Sequence, residues 1–178
     1  MRYQDISIKW KILFIVILGP IVIAVIMAWQ RTNDIEESYR KALIEKSRAI
    51  VLMAEAGREE MSHKLKLGVI KPFEELDKSI IVEAVPVIAA INMARAKSKE
   101  AGFEFRVPKF QPRNPKNTPT ELEGEVLNEF KKTNITEKII VSKESIRYFK
   151  PVRLTQECLF CHGFPKGEKD PTGGIKEG

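Results

Sequence analysis

The chain is poor in the residues from which several common kinds of site are built. It has two cysteines and two histidines in 178 residues, and both cysteines and one histidine fall within the five positions from Cys158 to His162. Two cysteines exclude a framework of several disulfides. A structural zinc site needs four ligands, and the chain offers only these three residues and the distant His63, unless carboxylates complete the set.

Other absences narrow the classes of function. No internal repeat or low-complexity tract is visible, and no acid–base pair or nucleophile constellation suggests an enzyme. The formal net charge is +6, but lysine and arginine are interleaved with aspartate and glutamate, as in KSKEAGFEFR. This interleaving is typical of a solvated surface rather than of a phosphate-binding stripe, so we do not expect a nucleic-acid partner.

One long apolar run lies near the N-terminus. Residues 12–30, ILFIVILGPIVIAVIMAWQ, carry no charge, and as a helix they would extend roughly 28 Å, about the thickness of a bilayer's hydrocarbon core. Trp10 and Trp29 stand near its ends, where indole rings favour the membrane interface. Pro20 is tolerated in membrane helices because neighbouring groups can satisfy the freed carbonyl. We therefore predict a membrane span rather than a buried core helix.

The charges that flank this run predict its orientation. Arg2, Lys9 and Lys11 precede it, which by the positive-inside rule holds the N-terminus in the cytoplasm. A cleaved signal peptide is the alternative, but the apolar run is longer than the apolar region of a usual signal peptide, and no A-x-A-like cleavage site follows it. We predict a single-pass inner-membrane protein, with residues 1–31 as cytoplasmic tip and bilayer anchor and residues 32–178 as a periplasmic domain.

Helical patterns fill the first part of the exported chain. Residues 32–67 lack proline and repeat apolar residues at spacings of three, four and seven, which predicts one long helix suited to a dimer seam, a stalk or packing on its own domain. Glu74–Lys99 is a second helical region, in which Pro86 would begin a new helix or kink this one. Prolines make Val107–Pro119 an extended loop.

A short helix and two strands are predicted next. Thr120 with Glu123 is a capping-box signature for a helix through about Lys132. The segment EKIIVSKESIRYFKPVRLT is rich in β-branched and aromatic residues, which predicts two antiparallel strands with a turn near Ser142–Glu144. Helices followed by strands indicate an α+β domain.

The segment TQECLFCHGFPKG, residues 155–167, holds both cysteines. A disulfide between Cys158 and Cys161 would constrain the unfolded chain little. A thioredoxin-type dithiol should lie near a βαβ pattern, which the flanks do not show. C-x-x-C-H is the attachment motif of c-type haem: the thiols form thioether links, and His162 is the proximal iron ligand. We predict one covalent haem c, with a redox or other metal site as the alternative.

The segments PVRLTQECLFCHG and AVPVIAAINMARAKSKEAGFEFRVPKFQPRNPKN, with the membrane-anchored helix before them, carry a family resemblance. They resemble the single-haem c-type periplasmic sensor domains of bacterial chemoreceptors and histidine kinases, over most of the chain after Arg31. The resemblance implies a PAS-like antiparallel sheet with peripheral helices, and often a homodimer with exchanged N-terminal helices. The chain departs from the family pattern because it ends soon after the motif and has no second span or signalling domain, so we expect a fragment or a truncated free-standing form.

The sixth iron ligand decides between an open iron and a closed electron-transfer or redox centre. In the resembling family the distal ligand, when present, is a methionine of the N-terminal helix. Met61 is therefore our first candidate, followed by Met53 and His63, whereas Met93 is expected to pack in the core.

A second set of candidates concerns the haem propionates. We predict that guanidinium groups contact them, because arginine binds carboxylates through two parallel hydrogen bonds. Solvated surface arginines are the alternative reading of the same residues. The three candidates are Arg106, Arg113 and Arg153.

Two functions fit these predictions. One is a haem-based sensor that detects a redox change or a small gaseous ligand at the iron, and the other is a membrane-tethered monohaem cytochrome that transfers electrons to a redox partner. The long helix continuous with the span favours the sensor, because a tethered carrier needs only a flexible linker.

Overall fold

The computed structural model describes residues 7–142, 144–154 and 156–176. Within these ranges a helix of 59 residues, α1, extends from Ile8 to Lys66. It contains the apolar run, and it is the one described helix that is long and apolar enough to cross a membrane. The predicted long helix is thus confirmed, whereas Arg2, which entered the prediction of orientation, lies outside the described residues.

The chain divides into two compact units, Met1–Glu45 and Lys46–Gly178. The described part of the first unit is the N-terminal portion of α1, and most of its large apolar side chains from Ile8 to Trp29 are exposed. Exposed apolar side chains on a helix of this length fit a hydrocarbon environment. The second unit holds the rest of α1 and the other described elements. The predicted domain boundary at residue 31 stays a prediction.

Helix α1 ends at Lys66, close to the predicted end at about residue 67, and a glycine closes it. Gly68 has a φ of 70°, in the left-handed region that favours glycine. Its N–H donates to the Leu65 carbonyl at 3.1 Å, and the Val69 N–H donates to the Lys64 carbonyl at 3.0 Å. These two bonds form a Schellman cap, which satisfies carbonyls that the end of the helix leaves open.

The second helical region is shorter than predicted. Helix α2, Pro86–Ala96, begins with proline in its first turn, where the missing N–H costs nothing. The residues before it form 3-10 turns at Phe73–Glu75 and Ile81–Ala84. The α-helix does not extend through this stretch because the residue before a proline is pushed to extended backbone, and Val85 has φ −69° and ψ 121°. A short helix, α3, follows at Ser98–Ala101.

The predicted capping box is confirmed in the next helix. Helix α4 spans Glu121–Lys132. The Glu123 N–H donates to Thr120 Oγ1 at 3.4 Å, and the Thr120 N–H donates to Glu123 Oε2 at 2.8 Å. This reciprocal pair satisfies two N–H groups that the start of the helix leaves open.

The two predicted strands form a hairpin. Strand β1, Lys138–Val141, pairs antiparallel with β2, Ile146–Phe149. The turn is closed by the Ser142 N–H, which donates to the Ser145 carbonyl at 2.9 Å; Lys143, inside the predicted turn, lies outside the described residues. With helix α5, Leu159–His162, the fold is α+β as predicted. The PAS-like assignment stays a prediction, since the described sheet has two strands.

The buried apolar side chains that the structure describes in the second unit come from four separate segments. They belong to α1, the second 3-10 turn, α2 and α4, so the core joins the N-terminal helix to the centre of the chain. Burial of such apolar side chains is the main favourable term in folding. The buried apolar residues are Ala54, Ile81, Ala90, Ile91, Val126 and Phe130.

Candidate functional site

The cysteine motif lies on one short helical segment. A 3-10 turn at Gln156–Cys158 leads directly into α5, Leu159–His162. Cys158 and Cys161 are three residues apart, a spacing that puts both side chains on one face of a helical turn. The two thiols do not form a disulfide with each other, and they and His162 are half-buried. The three groups are therefore close to the surface of the second unit.

Two contacts hold this segment against the rest of the unit. The ring of Phe160, inside the motif, stacks on Phe73, with ring centroids 5.8 Å apart. The Arg58 guanidinium on α1 approaches the first thiol, with Nη1 3.9 Å from Cys158 Sγ. These contacts attach the motif to α1 and to the 3-10 turn at Phe73–Glu75.

Gly163 ends the motif helix at a position that has no room for a side chain. The residue is buried, and its N–H donates to the Leu159 carbonyl at 2.7 Å. A Cβ atom placed on Gly163 would lie 2.4 Å from that same carbonyl oxygen. Because the obstacle is backbone, a larger residue here could be accommodated only if α5 itself shifted.

A groove with mainly apolar walls has Arg58 in its lining and holds a cavity of about 50 Å³. Small-molecule and cofactor sites likewise have mostly apolar walls with a few polar groups, although they are usually larger. Its walls come from α1, α2, the chain after α3 and the segment after β2. The lining residues are Val51, Ala54, Glu55, Arg58, Val87, Ala90, Ile91, Phe105, Val107, Lys150, Pro151 and Val152.

The charged side chains of the groove differ in how closely they are paired with an opposite charge. Glu55 forms an ion pair with Lys150. The Arg58 side chain is 11% exposed, and its Nη2 lies 3.6 Å from Oε1 of Glu59, whose side chain is 65% exposed. The lining thus has one carboxylate and two cations, and the better-buried cation is the one beside Cys158.

Exposed apolar side chains surround the motif. They lie in the segment before it, within it and just after it, and Phe164 is 81% exposed. Clustered apolar exposure of this kind marks a surface that something else covers. The residues are Val152, Leu154, Leu159, Phe160 and Phe164.

The predicted distal ligands differ in their surroundings. Met61 is half-buried and lies three residues beyond Arg58 and seven beyond Ala54, on the face of α1 that lines the groove. Met53 is 67% exposed, and His63 is exposed. Met93, predicted to pack in the core, is 52% exposed, and its methyl group lies over Gly57.

The three predicted propionate contacts have separate surroundings. Arg106 Nε lies 3.3 Å from Glu123 Oε1, and its Nη2 donates to the Thr118 carbonyl at 3.0 Å. Arg113 Nη2 donates to Asp170 Oδ2 at 2.5 Å. Arg153 is exposed. Arg106 and Arg113 thus already stabilise local structure, and whether any of the three contacts a propionate stays a prediction.

The alternatives to haem have less support from the geometry. In the ranges that the structure describes, no three His, Cys, Asp or Glu side chains are grouped so as to hold a metal ion, whereas a structural zinc site needs four ligands. Burial raises the pKa of the Cys161 thiol, and the Asp170 carboxylate adds to this effect. In a redox dithiol the pKa of the attacking thiol is lowered, so this shift does not favour Cys161 in that role. Haem c needs two thiols and one imidazole, which Cys158, Cys161 and His162 supply in one segment, and the groove walls beside them are mainly apolar.

Arg58 and the groove were not predicted from the sequence. The one local signal is that Arg58 follows Ala54 by four residues, within the apolar stripe of α1. The opposite wall, on α2 and after β2, becomes visible only in the folded chain.

The sequence of this chain matches the model of a known protein family. No curated protein and no solved structure matches the chain. The sequence model of the Tll0287-like family (Tll0287) matches residues 36–177, a range that includes the groove and the cysteine motif. Because this range is well over half of the chain, the protein belongs to the Tll0287-like family.

Proposed function

We propose that the second unit binds one haem c covalently, through thioether links to Cys158 and Cys161, with His162 as the proximal iron ligand. The observation that carries the proposal is the position of two thiols, not joined in a disulfide, on one face of a helical turn, beside a groove with mainly apolar walls. Membership of the Tll0287-like family supports a haem-binding domain.

The residues of the site have distinct roles in this proposal. When bound, haem supplies an iron that changes oxidation state and can take a small ligand. The side chains of Ala90, Ile91 and Phe105 in the groove exclude water from the macrocycle, while Phe73 holds Phe160 and so orients the motif helix. Met61, half-buried on the groove side of α1, is the candidate for the distal ligand.

We further propose that the protein is a membrane-anchored periplasmic sensor of a redox change or a small gaseous ligand, and that it acts as a homodimer. Helix α1 supports this assignment, because one continuous helix contains both the apolar run and the groove residues Val51 to Arg58. A tethered electron carrier, the alternative, would need only a flexible linker between anchor and haem.

Covalent attachment is the first test of this function. The full chain, expressed in a host with a cytochrome c assembly pathway, should keep its colour after acid–acetone extraction, because thioether bonds survive this treatment. The double variant Cys158→Ala, Cys161→Ala should lose the colour. Extraction of the haem from the unmodified chain, or covalent haem in the double variant, would refute the proposal.

A further inference from the structure

Arg58 is a cation with a largely covered side chain beside the first attachment thiol. Its side chain is 11% exposed, and Nη1 lies 3.9 Å from Cys158 Sγ. Burial of a charged group is unfavourable unless the group is paired. Here the sulphur is a weak acceptor, so the contact with Cys158 offsets little of that cost.

The neighbouring carboxylates do not neutralise this charge fully. Glu55, one turn earlier on α1, is paired with Lys150. Glu59 lies 3.6 Å from Arg58 Nη2, but its side chain is 65% exposed, and exposed ion pairs are weak. The groove lining therefore keeps a surplus of one positive charge, and Arg58 is the cation beside the motif.

We propose that Arg58 raises the reduction potential of the haem iron; this rests on the proposed function. In the reaction concerned, ferric iron accepts one electron from an external one-electron donor, and no atom or proton is transferred. Ferric iron has one more positive charge than ferrous iron, so the fixed positive charge of Arg58 disfavours the ferric state. Two unit charges interact strongly in a partly buried site, and salt screens such a site much less than it screens exposed charges.

Redox titration of the haem-loaded full chain in detergent tests this role. Arg58→Gln removes the charge and keeps a polar, though shorter, side chain. At a fixed solution potential it should lower the ratio of ferrous to ferric protein on the order of tenfold, a shift of 59 mV for one electron. Arg58→Lys keeps the charge and should retain most of the potential. Arg58→Met is a second neutral variant in case the glutamine variant does not mature.

Arg147 provides the matched control, because it is exposed on β2 and Arg147→Gln changes the net charge equally. Its effect on the potential should be small and should vanish in high salt, whereas the Arg58→Gln shift should persist.

The outcomes separate this inference from the proposed function. Loss of covalent haem from the unmodified chain would refute the function itself. Normal covalent haem in Arg58→Gln with an unchanged potential would refute the role of Arg58 alone. A changed ferric absorption spectrum in both neutral variants would also refute it, because the shift would then come from altered iron ligation.

Discussion

Arg48 and Glu137 form a two-pronged ion pair between α1 and the segment that enters β1. Arg48 Nε donates to Glu137 Oε2 at 3.1 Å, and Nη2 donates to Oε1 at 2.7 Å. The Tyr148 hydroxyl on β2 donates to the same carboxylate at 2.7 Å. Hydrogen bonds from Arg48 and Tyr148 lower the pKa of Glu137 from 4.5 to about 2. Residues far apart in sequence thereby attach the hairpin to α1.

The first prediction is an acid-dependent loss of stability that involves Glu137. Because its pKa is lower in the folded protein than in the unfolded chain, its contribution is complete above about pH 4.5 and is lost as the pH falls towards 2. Glu137→Gln should therefore lose less stability than the unmodified chain between these values. Thermal unfolding followed by circular dichroism at several pH values measures the difference.

The control for this experiment is Glu125→Gln, at an exposed position of α4. It should follow the unmodified chain at every pH. Parallel curves for Glu137→Gln and the unmodified chain would show that the ion pair contributes no pH-dependent stability.

The second prediction concerns Asp170, whose side chain is fully buried. Its Oδ1 accepts hydrogen bonds from Thr172 N–H at 2.8 Å and Thr172 Oγ1 at 2.6 Å, while Oδ2 accepts from Arg113. In Asp170→Asn, the amide NH₂ replaces one of the two accepting oxygens and faces a hydrogen-bond donor. The lost hydrogen bond should lower the free energy of unfolding by about 1–3 kcal/mol. Urea titration measures the loss. Glu168→Gln, at an exposed position of the same segment, should cost about 0.5 kcal/mol or less; equal losses would contradict this role of Asp170.

The third prediction concerns topology. An export-dependent reporter fused after Gly178 should be active, because the charges before the apolar run hold the N-terminus in the cytoplasm. The protein should stay in the membrane fraction after a high-salt wash. A reporter active only in the cytoplasm would reverse the orientation, and release of a shortened protein into the periplasm would show that the apolar run is a cleaved signal peptide.

The fourth prediction tests Met61 as the distal ligand. If its thioether binds the iron, the ferric protein should have a weak near-infrared thioether-to-iron band, and Met61→Ala should remove it. The variant should also bind CO or NO faster, because no protein ligand has to leave first. Met93→Ala, a matched change at a residue that lies over Gly57, should keep the band.

Two results would contradict the fourth prediction or its interpretation. An unchanged spectrum in Met61→Ala would exclude this residue, and Met53 and His63 would be tested next. A ferrous protein that keeps both of its own ligands under saturating CO and NO would exclude gas sensing and leave redox sensing or electron transfer.

The parts of the fold that the sequence predicted correctly depend on local interactions. The capping box of Thr120 and Glu123 and the hairpin of β1 and β2 involve neighbouring residues whose types determine the geometry. The end of α1 at Lys66 also agrees with the predicted end at about residue 67, and Gly68, next to this position, forms the cap. The stretch before Pro86 was predicted as helix because its apolar residues have helical spacing. The proline instead forces Val85 into extended backbone, and the α-helix begins only after it.

The site was predictable only where its residues are adjacent in sequence. Cys158, Cys161 and His162 form one motif, but the contact between Arg58 and Cys158 joins positions 100 residues apart. Residue type alone made Arg113 a candidate for a propionate contact, and the chain gives no sequence signal that Asp170 would accept its hydrogen bond.

The lack of space at Gly163 changes how many positions the attachment motif occupies. Cys158, Cys161 and His162 are constrained by the chemistry that we propose for them, whereas Gly163 is constrained by the Leu159 carbonyl. In a saturation-mutagenesis map of this protein, position 163 would therefore tolerate substitution as poorly as the cysteines do, although Gly163 makes no bond to the haem. A pattern used to find such sites in other chains would gain selectivity if it ended in glycine, as C-x-x-C-H-G.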